Sequence, residues 1–434
     1  MEFKRHYYRV GTQSAGYDAD PANEGELDEL IATSRKRIEP WLSAVFQAEH
    51  LNLLIGSGFT TAIGAAANAA ATGMSKVKFD SGYDELIDKH ADAKAKEMGR
   101  GGANIEDQFR SALALLEGFS VSSPKEAVAL RTTMDAQLSA FLSSLLATES
   151  GIANATGEHR VKAYTLLQSF LLSFASRAAS RERLHVFTTN YDRLIEHGCD
   201  LSGLRIVDRF VGALNPVFRA SRVDVDMHYN PPGIRGEPRF MEGVIRLTKL
   251  HGSLDWFFDK TERRIHRKGI PFGAPNTHSD LPKKPIDTVM IYPNPAKDVE
   301  TTQYPYAELF RDFAASVCRP NAVVVVYGYG FGDDHVNRIL LDMLTIPSTH
   351  LVVIAYGADD RLKGFCEKVR SAQVSLLIGT HYAALENLVE HYLPKPALDL
   401  ISGRMSELLK RRPDPDRPGS GVAPAGAPIA DEPF

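Results

Sequence analysis

Residues 51–60, "LNLLIGSGFT", form an apolar run that stops at two glycines separated by a serine and followed by a hydroxyl. The run shows no alternation, which is the mark of a parallel strand covered on both faces. A small-residue stretch with helix-forming composition, "AAANAAATG", follows at 65–73. Strand, glycine turn and helix make a phosphate cradle by construction. Gly56 and Gly58 let the backbone approach a pyrophosphate, Thr60 or Thr61 offers a hydroxyl, and the helix start supplies N–H groups and a favourable dipole. A glycine pair after a strand is equally an ordinary tight turn, so the motif alone leaves both readings open. A dinucleotide-dependent dehydrogenase would carry an acidic residue at the end of a second strand about 20 residues on. Helix and loop patterns occupy that region here, which argues against that class.

The chain has 434 residues, 44% of them hydrophobic. That is enough for two or three structural units at roughly 150 residues each. A formal net charge of −4 gives no global basic field, so no direct nucleic-acid partner is expected. Cys199, Cys318 and Cys366 lie far apart with no CxxC pair, which leaves neither a disulfide framework nor a thiolate metal site. The polar start "MEFKRHYYRVGTQ" and the lack of any long apolar run speak against a signal peptide or membrane span. A cytoplasmic location is expected.

Residues 1–26 are rich in small, polar and turn-forming types and read as an arm. From Leu27 the pattern is helical, and Pro40 suits the first turn of a second helix that places Trp41, Leu42, Val45 and Phe46 on one side. Between 65 and 180 apolar residues recur at helical spacing, as at Ile105, Phe109, Leu113 and Leu116, and again at Tyr164, Leu167, Leu171 and Phe174. This predicts an inserted all-helical module. From 184 strand patterns return as "LHVFTT", "LRIVD", "VIRLTKLHG", "TVMIYP", "AVVVVYGYG", "HLVVIAYG" and "VSLLIG", several of them separated by helical patterns. The alternation predicts an α/β fold with a doubly wound parallel, Rossmann-like sheet. "LDWFFD" and "RRIHRKG" read as an appended hairpin. The expected organisation is an arm (1–26), a Rossmann-like domain (27–64 and 181–393), the helical insertion (65–180), and a short helix with a disordered tail (394–434).

Ligands of such sheets bind outside the carboxyl ends of the strands. "TTNYD" ends one strand and puts Thr189, Asn190 and Asp192 there. Asn190 is suited to holding a water or a ribose hydroxyl and Asp192 to accepting from ribose hydroxyls, but both types also cap helices, and a helical pattern follows. "LTKLHGS" ends another strand on His251 followed by Gly252, a position that exposes an imidazole able to act as a general base. A purely structural histidine is the alternative. "VVVVYGYGFGDDHVN" gives a second glycine-rich strand end, with Gly328, Tyr329, Gly330, Asp333 and Asp334. Its glycines would let a ribose or adenine lie against the backbone, unless it is only an Asp-capped turn.

The ordered set "GSGFT", "TTNYD", "LHGS" and "GYGFGDD" resembles the sirtuin fold family, whose corresponding motifs are GAGxS, TQNxD, LHG and a glycine-rich GTS segment. "KLHGSLDW" and "YGYGFGDDHVN" are similar to segments of zinc-free bacterial sirtuin-like NADases of antiphage defence. The resemblance implies NAD as substrate, with Gly56, Ser57, Gly58 and Thr60 on its pyrophosphate. It also implies Asn190 and Asp192 at the nicotinamide ribose, His251 as a catalytic residue, and Thr61, Thr189, Gly328, Tyr329, Gly330 and Asp333 among the binding residues. It further implies no metal, a homo-oligomer, and a HerA-type hexameric ATPase as partner. Ser57 replaces the family's alanine and Thr189 its glutamine, while the proline-phenylalanine-arginine segment and the paired CxxC motifs are absent. These departures weigh against protein deacylation. An NAD-dependent protein deacylase and a non-catalytic nucleotide-binding subunit stand as the other two expectations.

Overall fold

The strand "LNLLIG" takes the middle of a large sheet, because its residues from Leu51 to Ile55 are all buried. A computed structural model describes residues 3–71, 73–97, 102–219, 226–229, 239–259, 261–281, 288–290 and 304–395. In chain order its strands are β1 (His6–Val10), β2 (Gln13–Tyr17), β3 (His50–Ile55), β4 (His185–Thr188) and β5 (Arg205–Val207). Four short ones follow, β6 (Phe210–Val211), β7 (Val217–Phe218), β8 (His228–Tyr229) and β9 (Arg239–Phe240). The rest are β10 (Val244–Lys249), β11 (Gly252–Asp259), β12 (Arg264–Arg267), β13 (Thr288–Met290), β14 (Ala322–Tyr327), β15 (His350–Ala355) and β16 (Val374–Ile378).

Among the described residues, nine strands form the main sheet in the order β2-β1-β16-β15-β14-β3-β4-β10-β5. Every pairing from β16 to β5 is parallel. The fold is therefore α/β and Rossmann-like, as the sequence predicts. The chain leaves β3 toward β4 on one side and later returns to β14 on the other, so the carboxyl end of β3 is a topological switch point, where such sheets open a crevice.

One apolar cluster lies against the helices Glu24–Phe46, Ser57–Ala66, Gly157–Ala175 and Leu194–Ser202, through Ile38, Phe59, Phe170 and Ile195 among others. A second cluster involves Phe313, Val336, Leu340 and Phe365, on the helices Tyr306–Val317, Asp334–Met343 and Asp360–Glu367. Burying both sheet faces is what allows β14 its unbroken valines. Asn52, the polar residue inside β3, is satisfied there: its amide donates to the Val323 carbonyl at 3.2 Å and its oxygen accepts from Ser316 at 2.6 Å.

Several expectations are corrected. The N-terminal segment is no arm. β1 and β2 form a hairpin that extends the sheet antiparallel to β16, because Tyr8 and Val10 alternate inward and Gly11 takes the positive φ that the turn needs. Pro40 starts no new helix but lies inside Glu24–Phe46, whose buried Ile38, Leu42 and Phe46 recur every four residues and hold it to the sheet. The last helix of the expected insertion, Gly157–Ala175, is a layer of the α/β core, since Leu167, Phe170 and Phe174 pack with sheet residues. The helices Asp84–Glu97, Ile105–Ser122 and the first part of Pro124–Ala153 do have a core of their own, around Phe79, Ile87, Phe109 and Leu130. "TVMIYP" supplies β13 to the smaller sheet β13-β11-β12-β7-β6, which also holds the β11–β12 hairpin. The expected C-terminal helix and tail lie outside the described residues. No helix among the described residues is long and apolar enough to cross a membrane.

One half-buried histidine of the sheet makes a pH prediction. His350, at the start of β15, is bonded to Ser375 at 2.9 Å, packs edge-on against Trp41, and has its pKa pushed down to about 4 by burial and then by Arg9. The unfolded chain binds this proton near pH 6.5 and the folded protein does not, so stability is complete above that pH and falls as the pH drops toward about 4. His350→Gln is expected to flatten this acid-side loss, on the order of 2 kcal/mol, in urea titrations between pH 7 and 4.5.

Candidate active site at the switch point

The glycine turn is shaped first by its neighbour. A Cβ on Gly56 would stand 2.5 Å from the Gly328 carbonyl oxygen, and one on Gly58 would stand 2.7 Å from the Gly328 Cα. Gly328 itself has φ +65° and would clash with the Phe59 amide nitrogen. The turns after β3 and β14 are thus pressed backbone to backbone, and Gly58 donates to the Gly328 carbonyl at 2.9 Å while Gly56 donates to Tyr327 at 3.0 Å. Phe59 donates back to Gly56. Three amides of the expected cradle are therefore committed inside the protein. Gly58→Ala is expected to lower the melting temperature by several degrees, because the added methyl meets backbone that cannot rotate away.

A cavity of about 350 Å³ opens beside this turn. Gly56, Ser57 and Thr60 reach it from the helix start, Thr189, Asn190 and Asp192 from the end of β4, His251 from the end of β10, and Tyr329, Gly330 and Asp333 from the end of β14. Four strand ends named in the sequence analysis thereby meet at one place. Gly58, Thr61 and Gly328 are not on its wall. Thr61 is exposed and turns its hydroxyl back to the Ser57 carbonyl at 3.2 Å.

Asn190 and Asp192 are locked to the glycine turn. The Asn190 amide donates to the Gly56 carbonyl at 3.0 Å and to Thr60 Oγ1 at 3.1 Å. With both amide hydrogens committed, its side-chain oxygen is the group left for a ligand. Thr60 in turn donates to Asp192 Oδ2 at 2.8 Å, and Asp192 Oδ1 accepts from the Leu194 amide at 3.1 Å. Neither residue is the N-cap of the helix Leu194–Ser202, which is Arg193: Asp192 braces its first amide from one residue further out, and Asn190 turns its amide to the glycine turn instead. All three side chains are buried.

His251 differs from expectation in being buried, not exposed. Tyr191 and Phe310 flank it with ring centroids at 6.2 and 6.4 Å, and its Nε2 lies 2.8 Å from Asp333 Oδ2, close but out of line for a hydrogen bond. Asp333 is fixed as the cap of the helix Asp334–Met343 by the His335 amide at 3.0 Å. Tyr329 donates to the Asp333 carbonyl at 3.0 Å, and burial, reinforced by the Asp333 charge, pushes its phenol well up, so it stays a neutral donor. The arrangement is an imidazole beside a fixed carboxylate on the wall of the cavity that Asn190 also lines.

Sequence reasoning missed the other wall. Phe141, Leu145 and Thr148, on one face of Pro124–Ala153, close the cavity together with Met74, Asn104 and Glu106. Asn104 is held by a capping box with Asp107. The spacing of Phe141, Leu145 and Thr148 does signal a helical face, but periodicity cannot tell a ligand wall from core. A buried ion pair anchors this wall: Arg193, next to Asp192, meets Glu149, next to Thr148, at 2.5 Å, and its backbone amide donates to the same carboxylate at 2.7 Å. Arg361, also missed, lines the cavity from the helix after β15. Its signal was hidden in an ordinary Asp-capped helix start. Among the described residues, groups of three or more His, Cys, Asp and Glu side chains that could share a metal ion occur at His6, Asp20 and His381 and at Asp259, Glu262 and His266. None of these lines the cavity.

Residues 184–377 match the family model of a SIR2-like domain. The matched range carries Asn190, Asp192, His251 and the turn from Gly328 to Asp333, while the glycine turn at 56–60 lies ahead of it. The match supports a sirtuin-like family and fits an NAD-related function for the SIR2-like domain. No curated protein matches the chain.

Proposed function

We propose that the chain is an NAD hydrolase that cleaves the bond between nicotinamide and ribose, giving nicotinamide and ADP-ribose. The observation that carries the reading is that Asn190 and the His251–Asp333 pair line one cavity, together with the start of the helix Ser57–Ala66. Nicotinamide is a good leaving group because it departs from a cation as a neutral molecule, taking the electron pair of the broken C–N bond. The ribose carbon becomes oxocarbenium-like, and water adds its oxygen there while losing a proton. Asn190 orients the ribose and the water through its side-chain oxygen, Asp192 and Thr60 hold Asn190 in place, and His251 accepts the proton. The Asp333 carboxylate favours the imidazolium that results. Phe141, Leu145 and Met74 keep bulk water from the reacting carbon.

The resemblance to antiphage NADases supports a defence role, in which NAD loss stops the infected cell, with a homo-oligomer and a HerA-type ATPase as the means of gating. Purified protein incubated with NAD, with and without an acyl-lysine peptide, distinguishes the alternatives by chromatography of nicotinamide. Release without peptide is the expected result. Release only with peptide marks a deacylase. Calorimetric binding without release, even with a HerA-type ATPase added, marks a non-catalytic subunit.

A further inference from the structure

The cavity wall carries three carboxylates, Glu106, Asp192 and Asp333, and among its described residues one side chain that is always cationic, Arg361. That balance is poor for a dinucleotide whose diphosphate carries two negative charges. The helix start at Ser57 supplies only a partial positive charge, and the amides of Gly56, Gly58 and Phe59 are already bonded to backbone carbonyls. A full counter-charge has to come from elsewhere.

We propose that Arg361 is the phosphate-recognition residue of this site, exchanging its partner Asp359 for a phosphate oxygen of the bound dinucleotide. The inference rests on the NAD reading given above. Arg361 stands just past the carboxyl end of β15, the strand beside β14. Its Nη2 lies 3.7 Å from where a Cβ on Gly330 would be, so the guanidinium stands beside the Gly330 turn on the same cavity wall. Its present bond to Asp359 is 2.8 Å long, with side-chain exposures of 37% and 44%. A half-exposed pair of this kind is weak and exchanges readily. Asp359 stays occupied when released, because its other oxygen caps the helix through the Leu362 amide at 2.9 Å. The planar guanidinium fork suits two oxygens of one phosphate, which a lysine cannot match. The phosphate is either the diphosphate bridge or a 2′-phosphate on the adenosine ribose, a group that arginines in comparable sheets accept.

Calorimetry of wild type, Arg361→Gln and Arg361→Lys with ADP-ribose, 2′-phospho-ADP-ribose and adenosine tests this, with steady-state kinetics on NAD beside it. Arg361→Gln is expected to weaken phosphate-bearing ligands by about 10- to 100-fold, with adenosine unaffected, and to raise KM while leaving kcat nearly unchanged. Arg361→Lys should recover part of the loss. A deficit common to both ADP-ribose ligands assigns the diphosphate, and one confined to the phosphorylated ligand assigns the 2′-phosphate. Wild-type affinity of Arg361→Gln for both ligands overturns the proposal and leaves the NAD reading standing. Wild-type protein that binds neither ligand removes the NAD reading, and this inference with it.

Discussion

His251→Ala is expected to slow nicotinamide release from NAD by about 10² to 10⁴-fold, with little change in KM. The imidazole sits at the end of β10 with Asp333 Oδ2 2.8 Å from Nε2, and it is enclosed by Tyr191 and Phe310. It is placed for a proton transfer that occurs only as water attacks, which is why the loss falls on kcat. Asp333→Asn keeps the helix cap, since asparagine caps as well as aspartate, and removes the charge that favours the imidazolium. It should therefore lower kcat, but cost less than loss of the ring. Unchanged kcat in His251→Ala, with folding verified by circular dichroism, would remove the general base from the mechanism.

Glu149→Ala is expected to cost about 3–5 kcal/mol of stability, measured by urea denaturation. The residue is fully buried and makes its contacts to Arg193 from both oxygens, while Arg193 also reaches the carbonyls of Ile270 and Pro271. Burial pushes the Glu149 carboxyl up and the Arg193 charge opposes it, so removing either partner strands the other in a low-dielectric interior. The double variant Glu149→Leu with Arg193→Met should lose much less, because no buried charge is left unpaired. Activity should fall in both, since this pair ties Thr148 on the helical wall to Asp192 at the end of β4. A loss below about 1 kcal/mol in the single variant would show that the seam between wall and sheet does not depend on it.

What the sequence reveals of this molecule follows from what local pattern can encode. The four valines at 323–326 are legible as a strand buried on both faces because no other environment tolerates such a run. Strand ends rich in glycine and polar groups are legible because parallel sheets put their ligands there. Partners are not legible. The glycines at 56 and 58 read as room for a pyrophosphate and Gly328 as room for a ribose or adenine, and the structure shows the three making room for one another. The helix Gly157–Ala175 had the right period but no mark telling whether it packed on the sheet or on the inserted helices. The hairpin β1–β2 was hidden by its composition, since β2 has four exposed residues out of five and meets the core only through Tyr17. Arg361 was invisible for the opposite reason: "DDR" at a helix start already has a sufficient local explanation in capping.

The most direct test of the central claim is quantitative chromatography of NAD incubated with the full chain, alone and with a HerA-type ATPase, alongside the Asn190→Ala and His251→Ala variants. Nicotinamide and ADP-ribose are expected in equal amounts without any acyl-lysine peptide, with little of either from the two variants. Intact NAD under all of these conditions, or products formed equally fast by both variants, would contradict the claim.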